Sequence, residues 1–157
     1  MAARKGPVRV LHYGLGPIGA AVVRQVAARR GFKIVGAVDI DPAKAGRDLG
    51  EVAGVGRTLK VKVSSDAKKT IKATKPDVVV LCTLSSLKRV LPQMEEILKL
   101  RVPIVSTTEE LAYPTGANMK YARAIHEMAK KAKVAVLGTG VNPGFTMDAL
   151  PITLTGV

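Results

Sequence analysis

Tryptophan is absent from this chain, and aromatic residues of any kind make up 3% of its 157 residues. So few rings leave almost no platform on which nucleic-acid bases could stack. The single cysteine, Cys82, excludes an internal disulfide framework and a multi-cysteine zinc module. No apolar run approaches the roughly 18 residues of a membrane span. The amino end also lacks the unbroken apolar stretch of a signal peptide, because Arg9 and His12 interrupt it and Gly14, Gly16 and Gly19 end it. Acidic residues are scarce as well: none precedes Asp39, and 12 Asp and Glu stand against 25 Lys and Arg, a net charge of +13. A field of that sign attracts anions, from nucleotides to acidic surfaces. The cations are nonetheless dispersed, with no basic tract of five and no interleaved aromatics, which argues against a nucleic-acid partner. What is present, 47% hydrophobic and 24% charged residues, suffices for one packed domain, expected in the cytoplasm.

Short β-branched runs alternate with helical patterns along the chain. Residues 8–13 read as a strand and 17–30 as a helix, with Ile18, Val22, Val23 and Val26 on one face. Strands follow at 33–38, more weakly at 59–63, and at 77–82, the last unbroken and expected in a buried centre that includes Cys82. Between the second and third strands, 41–57 reads as a short helix and a loop. Ser65 or Asp66 is placed to cap a helix that Pro76 ends, and Ser86 a helix over 87–100 that Pro92 either kinks or delays. Strands at 102–106 and 134–137 flank a helix over 119–133 capped by Asn118, with a terminal helix from about Phe145. Strands and helices in strict alternation predict an α/β fold: a doubly wound parallel sheet of about six strands in a single domain spanning 1–157.

Gly14-Leu15-Gly16-Pro17-Ile18-Gly19 follows the first strand and opens the first helix. In such a loop the first glycine permits a tight turn, the second lets backbone approach a pyrophosphate, and the third lets helix and strand pack closely. The helix amino terminus adds free N–H donors and a positive dipole end. Asp39 closes the second strand 20 residues after Gly19, where an acid that binds ribose belongs. Together these residues predict a Rossmann dinucleotide site. Asp39 favours NAD, since a carboxylate accepts bonds from both ribose hydroxyls and repels a 2′-phosphate. Lys44 and Arg47 can offset that repulsion by swinging outward, so NAD and NADP both stay open.

Three loops beyond strand ends should border the cofactor. Thr83 and Leu84 begin the first. The second holds Thr107, Thr108, Glu109 and Glu110, in which a threonine can cap a helix with acids in its first turn, or one glutamate can act as general acid and base after partial burial. The third offers Asn142 as a polar handle beside Pro143 and Gly144. His12 and His126 read as packing or surface residues, and no metal-ligand cluster appears.

These loops carry a resemblance. Tyr13-Gly14-Leu15-Gly16-Pro17-Ile18-Gly19, Val38-Asp39-Ile40-Asp41-Pro42, Ser106-Thr107-Thr108-Glu109-Glu110-Leu111 and Gly140-Val141-Asn142-Pro143-Gly144-Phe145 span nearly the whole chain. It resembles the amino-terminal domain of the 2,4-diaminopentanoate dehydrogenase and native amine dehydrogenase group, within the dihydrodipicolinate reductase-like superfamily. The resemblance implies NAD(P)-dependent oxidative deamination of a small-molecule amine, or reductive amination of the matching ketone. It also implies that a glutamate in the segment like 107–110 handles amine and water protons, with Glu109 fitting better than Glu110. Members of that group carry a second α+β domain that closes the substrate pocket and builds the oligomer, expected here to be a homodimer. The chain stops at Val157, so it reads as a fragment that chiefly binds cofactor. Dihydrodipicolinate reductases of lysine biosynthesis carry Gly-Thr-Thr-Gly where this chain has Ser-Thr-Thr-Glu, a departure from that reading. That reductase activity and a non-catalytic nucleotide-binding or redox-sensing module are the alternatives.

Overall fold

The computed structural model describes residues 6–156. Contacts gather the chain into two compact units, Met1–Cys82 and Thr83–Val157. The first contains β1 (Val8–Tyr13), α1 (Pro17–Ala28), β2 (Phe32–Val38), α2 (Leu49–Val52), β3 (Val63–Ser64), α3 (Ala67–Thr74) and β4 (Val78–Leu81). Its strands are parallel and lie in the order β3-β2-β1-β4. The chain therefore winds outward from β1 through β2 to β3, then returns to the other side of β1 to lay down β4. That reversal puts a topological switch point at the carboxyl ends of β1 and β4, where ligands of open parallel sheets bind.

Burial follows the sequence pattern. Val10, Leu11, Ala37, Val38, Val79 and Leu81 are all within 2% of full burial. Leu15, Val23, Leu49, Ala53 and Val63 join Ala37 in the core cluster. Helix α3 starts where Asp66 accepts a hydrogen bond from Lys69 N and ends at Lys75, left-handed at φ 44° just before Pro76. Three expectations fail. Ile18 is 61% exposed rather than on the buried face of α1; it stands in the helix's first turn, past the end of β1. The third strand shrinks to two residues because the stretch before it is bound elsewhere: Leu59 N and Val61 N donate to the Asp48 carboxylate at 2.9 and 3.2 Å. Cys82 lies just past β4 and is half-buried, not in a core strand.

The second unit contains α4 (Leu87–Lys99), β5 (Ile104–Ser106), α5 (Glu109–Ala112), α6 (Met119–Ala132), β6 (Val136–Gly138) and α7 (Leu150–Thr155). Strands β5 and β6 pair in parallel, from Ile104↔Val136 to Ser106↔Gly138. Helix α4 begins at Leu87 and runs through Pro92, burying Leu87, Val90, Met94, Ile97 and Leu98 at helical spacing. Asn118 stands at the start of α6 but makes no capping bond. The terminal helix expected from about Phe145 is present but starts π-wound: Val141–Ala149 is a π-helix interrupted at Asn142, which is extended at φ −111°, ψ 122°, and it continues as α-helix from Leu150. Six strands alternating with flanking helices make this a Rossmann-like α/β fold, as the patterning predicts. No helix among the described residues is long and apolar enough to cross a membrane.

One buried polar side chain fits the packing reading and costs stability in acid. His12, in register with Ala37 and Val80, is 1% exposed, and neither ring nitrogen has a hydrogen-bond partner. Burial lowers its pKa from 6.5 to about 4, so the folded protein keeps it neutral. Above pH 6.5 the imidazole is neutral in both folded and unfolded chains and contributes no pH dependence. Between pH 6.5 and about 4 only the unfolded chain takes up the proton, so stability falls as pH falls, by about 3 kcal/mol in total. Urea unfolding of wild type and His12→Val across that window checks this: the variant should lose about that much pH dependence.

Candidate functional site

The glycine loop is built from three different backbone demands. Gly14 turns at φ +91°, a conformation that L side chains rarely adopt. A Cβ at Gly19 would overlap the Gly14 carbonyl oxygen and meet Cys82 Cβ at 3.5 Å, so helix α1 can approach the strand end only through glycine. Gly16 differs: it precedes α1 with φ −67°, and a Cβ there would meet nothing within 4 Å. Its backbone thus faces open space in front of a helix whose first residue is Pro17. Pro17 and Ile18 are exposed beside it. Open backbone at the amino end of a 12-residue helix fits a pyrophosphate cradle that a side chain would obstruct.

Asp39 is tied into this loop. The residue is only 7% exposed. Its Oδ2 accepts from Leu15 N at 2.7 Å and from Lys44 Nζ at 3.3 Å, while Oδ1 accepts from Asp41 N at 2.9 Å. Burial pushes the carboxyl pKa up, but the hydrogen bonds from Asp41 and Leu15 and the Lys44 ammonium outweigh it and hold the group below its ordinary value. An ionised carboxylate has about four acceptor positions. Three are taken, which leaves one open. Lys44 is held inward, 3.4 Å from Asp41 as well, instead of swinging outward. Arg47 is not brought to this group; its guanidinium pairs with Glu51 at 2.7 Å.

In the second unit, the segments after β4 and β5 are bound together. Thr83 Oγ1 donates to Gln93 at 2.6 Å. Thr108 is the residue before α5, yet its hydroxyl does not cap that helix; it donates inward to Leu84 O at 2.8 Å and accepts from Ser106 Oγ at 2.9 Å. Both side chains are buried. Thr107 is half-buried beside them. The paired glutamates separate in role. Glu110 Oε2 accepts from Leu87 N at 2.7 Å, whereas Glu109 is exposed and its carboxylate has no hydrogen-bond or ion-pair partner among the described residues. The partial burial expected of Glu109 is therefore not found within this chain. Asn142 is exposed where the π-helix is interrupted, and the side chain of Pro143 lies outside the described set. Among the described residues, no three His, Cys, Asp or Glu are grouped to hold a metal ion.

Ser106, Thr108 and Asp41 escaped the sequence reading as site residues. A buried Ser–Thr pair two positions apart at a strand end was the available signal for the first two.

Comparison with known proteins gives the family. The model of the dihydrodipicolinate reductase N-terminus matches residues 8–139. The chain belongs to that family. Among its relatives, the 2,4-diaminopentanoate dehydrogenase of Acetoanaerobium sticklandii is 33% identical over 150 residues, which cover 95% of this chain and 42% of that protein. The amine dehydrogenase of Streptomyces virginiae is 24% identical over 148 residues, 92% of this chain and 41% of the other. The solved structure of amine dehydrogenase from Mycobacterium smegmatis superposes with a TM-score of 0.80 at 32% identity, over 85% of this chain and 39% of that one. The chain thus spans about two fifths of the length of these dihydrodipicolinate reductase-like relatives.

The second and third glycines of the loop should respond differently to one methyl group. Gly19→Ala forces the Gly14 carbonyl to move and should cost about 1–3 kcal/mol, the scale of overpacking. Gly16→Ala should leave thermal stability within about 0.5 kcal/mol, as at other open positions. Thermal unfolding of both variants decides this.

Proposed function

We propose that this chain is the NAD(P)-binding domain of an amine dehydrogenase-like oxidoreductase, which oxidatively deaminates a small amine or aminates the matching ketone. The observation that carries the reading is the open backbone at Gly16, held in place by the Asp39–Leu15 bond at 2.7 Å. Gly14, Gly16, Pro17, Ile18 and Gly19 would hold the pyrophosphate, and the remaining acceptor position of Asp39 one ribose hydroxyl. Lys44 neutralises Asp39 and so reduces its repulsion of a 2′-phosphate, which supports use of both NAD and NADP; Arg47, bound to Glu51, is a reserve cation. Thr83, Leu84, Thr107, Asn142 and Pro143 are assigned to the remaining cofactor contacts by their places after strands β4, β5 and β6. When bound, the nicotinamide accepts or returns a hydride.

Glu109 is the general acid and base of this reading. Its free carboxylate can take a proton from an ammonium substrate, and in its protonated form the same group can protonate the hydroxyl of a carbinolamine so that water leaves. The similarity to proteins named amine and diaminopentanoate dehydrogenases supports the amine class. A 1–157 cofactor domain within a longer homodimeric, cytoplasmic enzyme with a second domain is the matching reading of the whole protein.

Two measurements test the reading. Fluorescence titration with NADH and NADPH should show saturable binding by this chain, abolished in folded Gly16→Val, whose side chain fills the cradle. Unchanged affinity in that variant would remove the dinucleotide assignment. In the whole enzyme, Glu109→Gln should lower turnover of its amine by about 10²–10⁴, with cofactor affinity changed by less than about 1 kcal/mol. Near-normal turnover would strike Glu109 from the chemistry.

A further inference from the structure

Adjacent carboxylates in one turn invite the assumption that they share one task, and here the hydrogen bonds divide them. Residues 106–110 are bound to residues 84–87 at three backbone points. Thr108 Oγ1 donates to Leu84 O at 2.8 Å, Glu110 N donates to Ser85 O at 3.2 Å, and Glu110 Oε2 accepts from Leu87 N at 2.7 Å. Thr108 is itself fixed from below, where its N–H donates to Ser106 Oγ at 3.2 Å.

The third of these bonds replaces a local one. Ser86 occupies the capping position of α4, yet its side chain makes no capping bond. Glu110, 23 residues beyond Leu87, serves the first amide of that helix instead. A carboxylate there also meets the positive end of the α4 dipole. The order Thr107-Thr108-Glu109-Glu110 resembles a local capping box, in which the glutamate would turn back on its own helix. It reaches across to another helix instead.

We infer that Glu110 is a positioning residue: with Thr108 it latches the backbone of residues 84–87, the start of the segment assigned above to the cofactor, and leaves Glu109 free for proton transfer. The inference rests on the nucleotide-binding reading. A glutamate that merely stabilised the fold would leave cofactor affinity untouched in folded protein. A latch would not. Removing the Glu110 carboxylate unties Leu87 N and leaves residues 84–87 held only by Thr108 and by Glu110 N, so a cofactor-lining segment samples other conformations before binding.

The test is NADH titration, by fluorescence, of wild type, Glu110→Ala, Glu110→Gln and Thr108→Val, each first shown to be folded by circular dichroism and held well below its melting temperature. Glu110→Ala should bind NADH about tenfold more weakly, the factor that one charge-assisted hydrogen bond is worth. Glu110→Gln, whose amide oxygen still accepts from Leu87 N, should recover most of that loss. Thr108→Val keeps side-chain volume but breaks the bond to Leu84, and should weaken binding several-fold, so the inference stays testable if Glu110→Ala does not fold. Wild-type affinity in both Glu110→Ala and Thr108→Val overturns the latch and leaves the nucleotide reading intact. Equal weakening in Glu110→Ala and Glu110→Gln also overturns it, since the accepting oxygen would not be what matters. Absence of NADH binding by wild type removes the nucleotide reading and the latch with it.

Discussion

The hydrogen bond from Leu15 N to the Asp39 carboxylate organises the first unit. It joins the turn after β1 to the end of β2, two segments that are neighbours only because the strands pair in register from Val8↔Phe32 to Tyr13↔Val38. A buried, ionised carboxylate is costly unless its acceptor positions are filled. Two backbone amides and one ammonium fill them here. The consequence is a glycine loop whose shape is set before any ligand arrives. Preorganisation of that kind lowers the ordering cost that binding would otherwise carry.

The second unit uses the same device with different residues. Buried Ser106 and Thr108 bond to each other and to Leu84, and Glu110 takes the first amide of α4. In both units an acid that the sequence presents as a ligand contact accepts from backbone amides. Asp39 retains one acceptor position, Glu110 holds Leu87 N, and the Glu109 carboxylate has no partner among the described residues. The division explains how one short turn can hold a backbone-bound and an exposed glutamate side by side.

Much of this was legible in the sequence where the determining forces are local. The α3 cap at Asp66, its end before Pro76 and the three-glycine loop all depend on residues within a few positions of one another. The failures share a different cause. The stretch 59–62 has the apolar alternation of a strand, but its amides belong to Asp48, more than ten residues away. Ser86 sits where a cap should be, but the bond comes from Glu110. Pairings over such distances depend on the folded register, which periodicity and capping rules do not encode. Lys44 and Arg47 differ: their partners Asp39, Asp41 and Glu51 are local, and the pairing of Arg47 with Glu51 at i, i+4 was open to the sequence.

The central claim is that the backbone of residues 14–19 receives the pyrophosphate of a nicotinamide dinucleotide. The most direct measurement is a ¹⁵N–¹H correlation spectrum of the labelled chain, recorded during titration with NADH. The account predicts saturable displacement of the Leu15, Gly16, Ile18 and Gly19 amide resonances, with one dissociation constant shared among them. Unmoved loop resonances while others shift, or no shift at millimolar NADH, would contradict it.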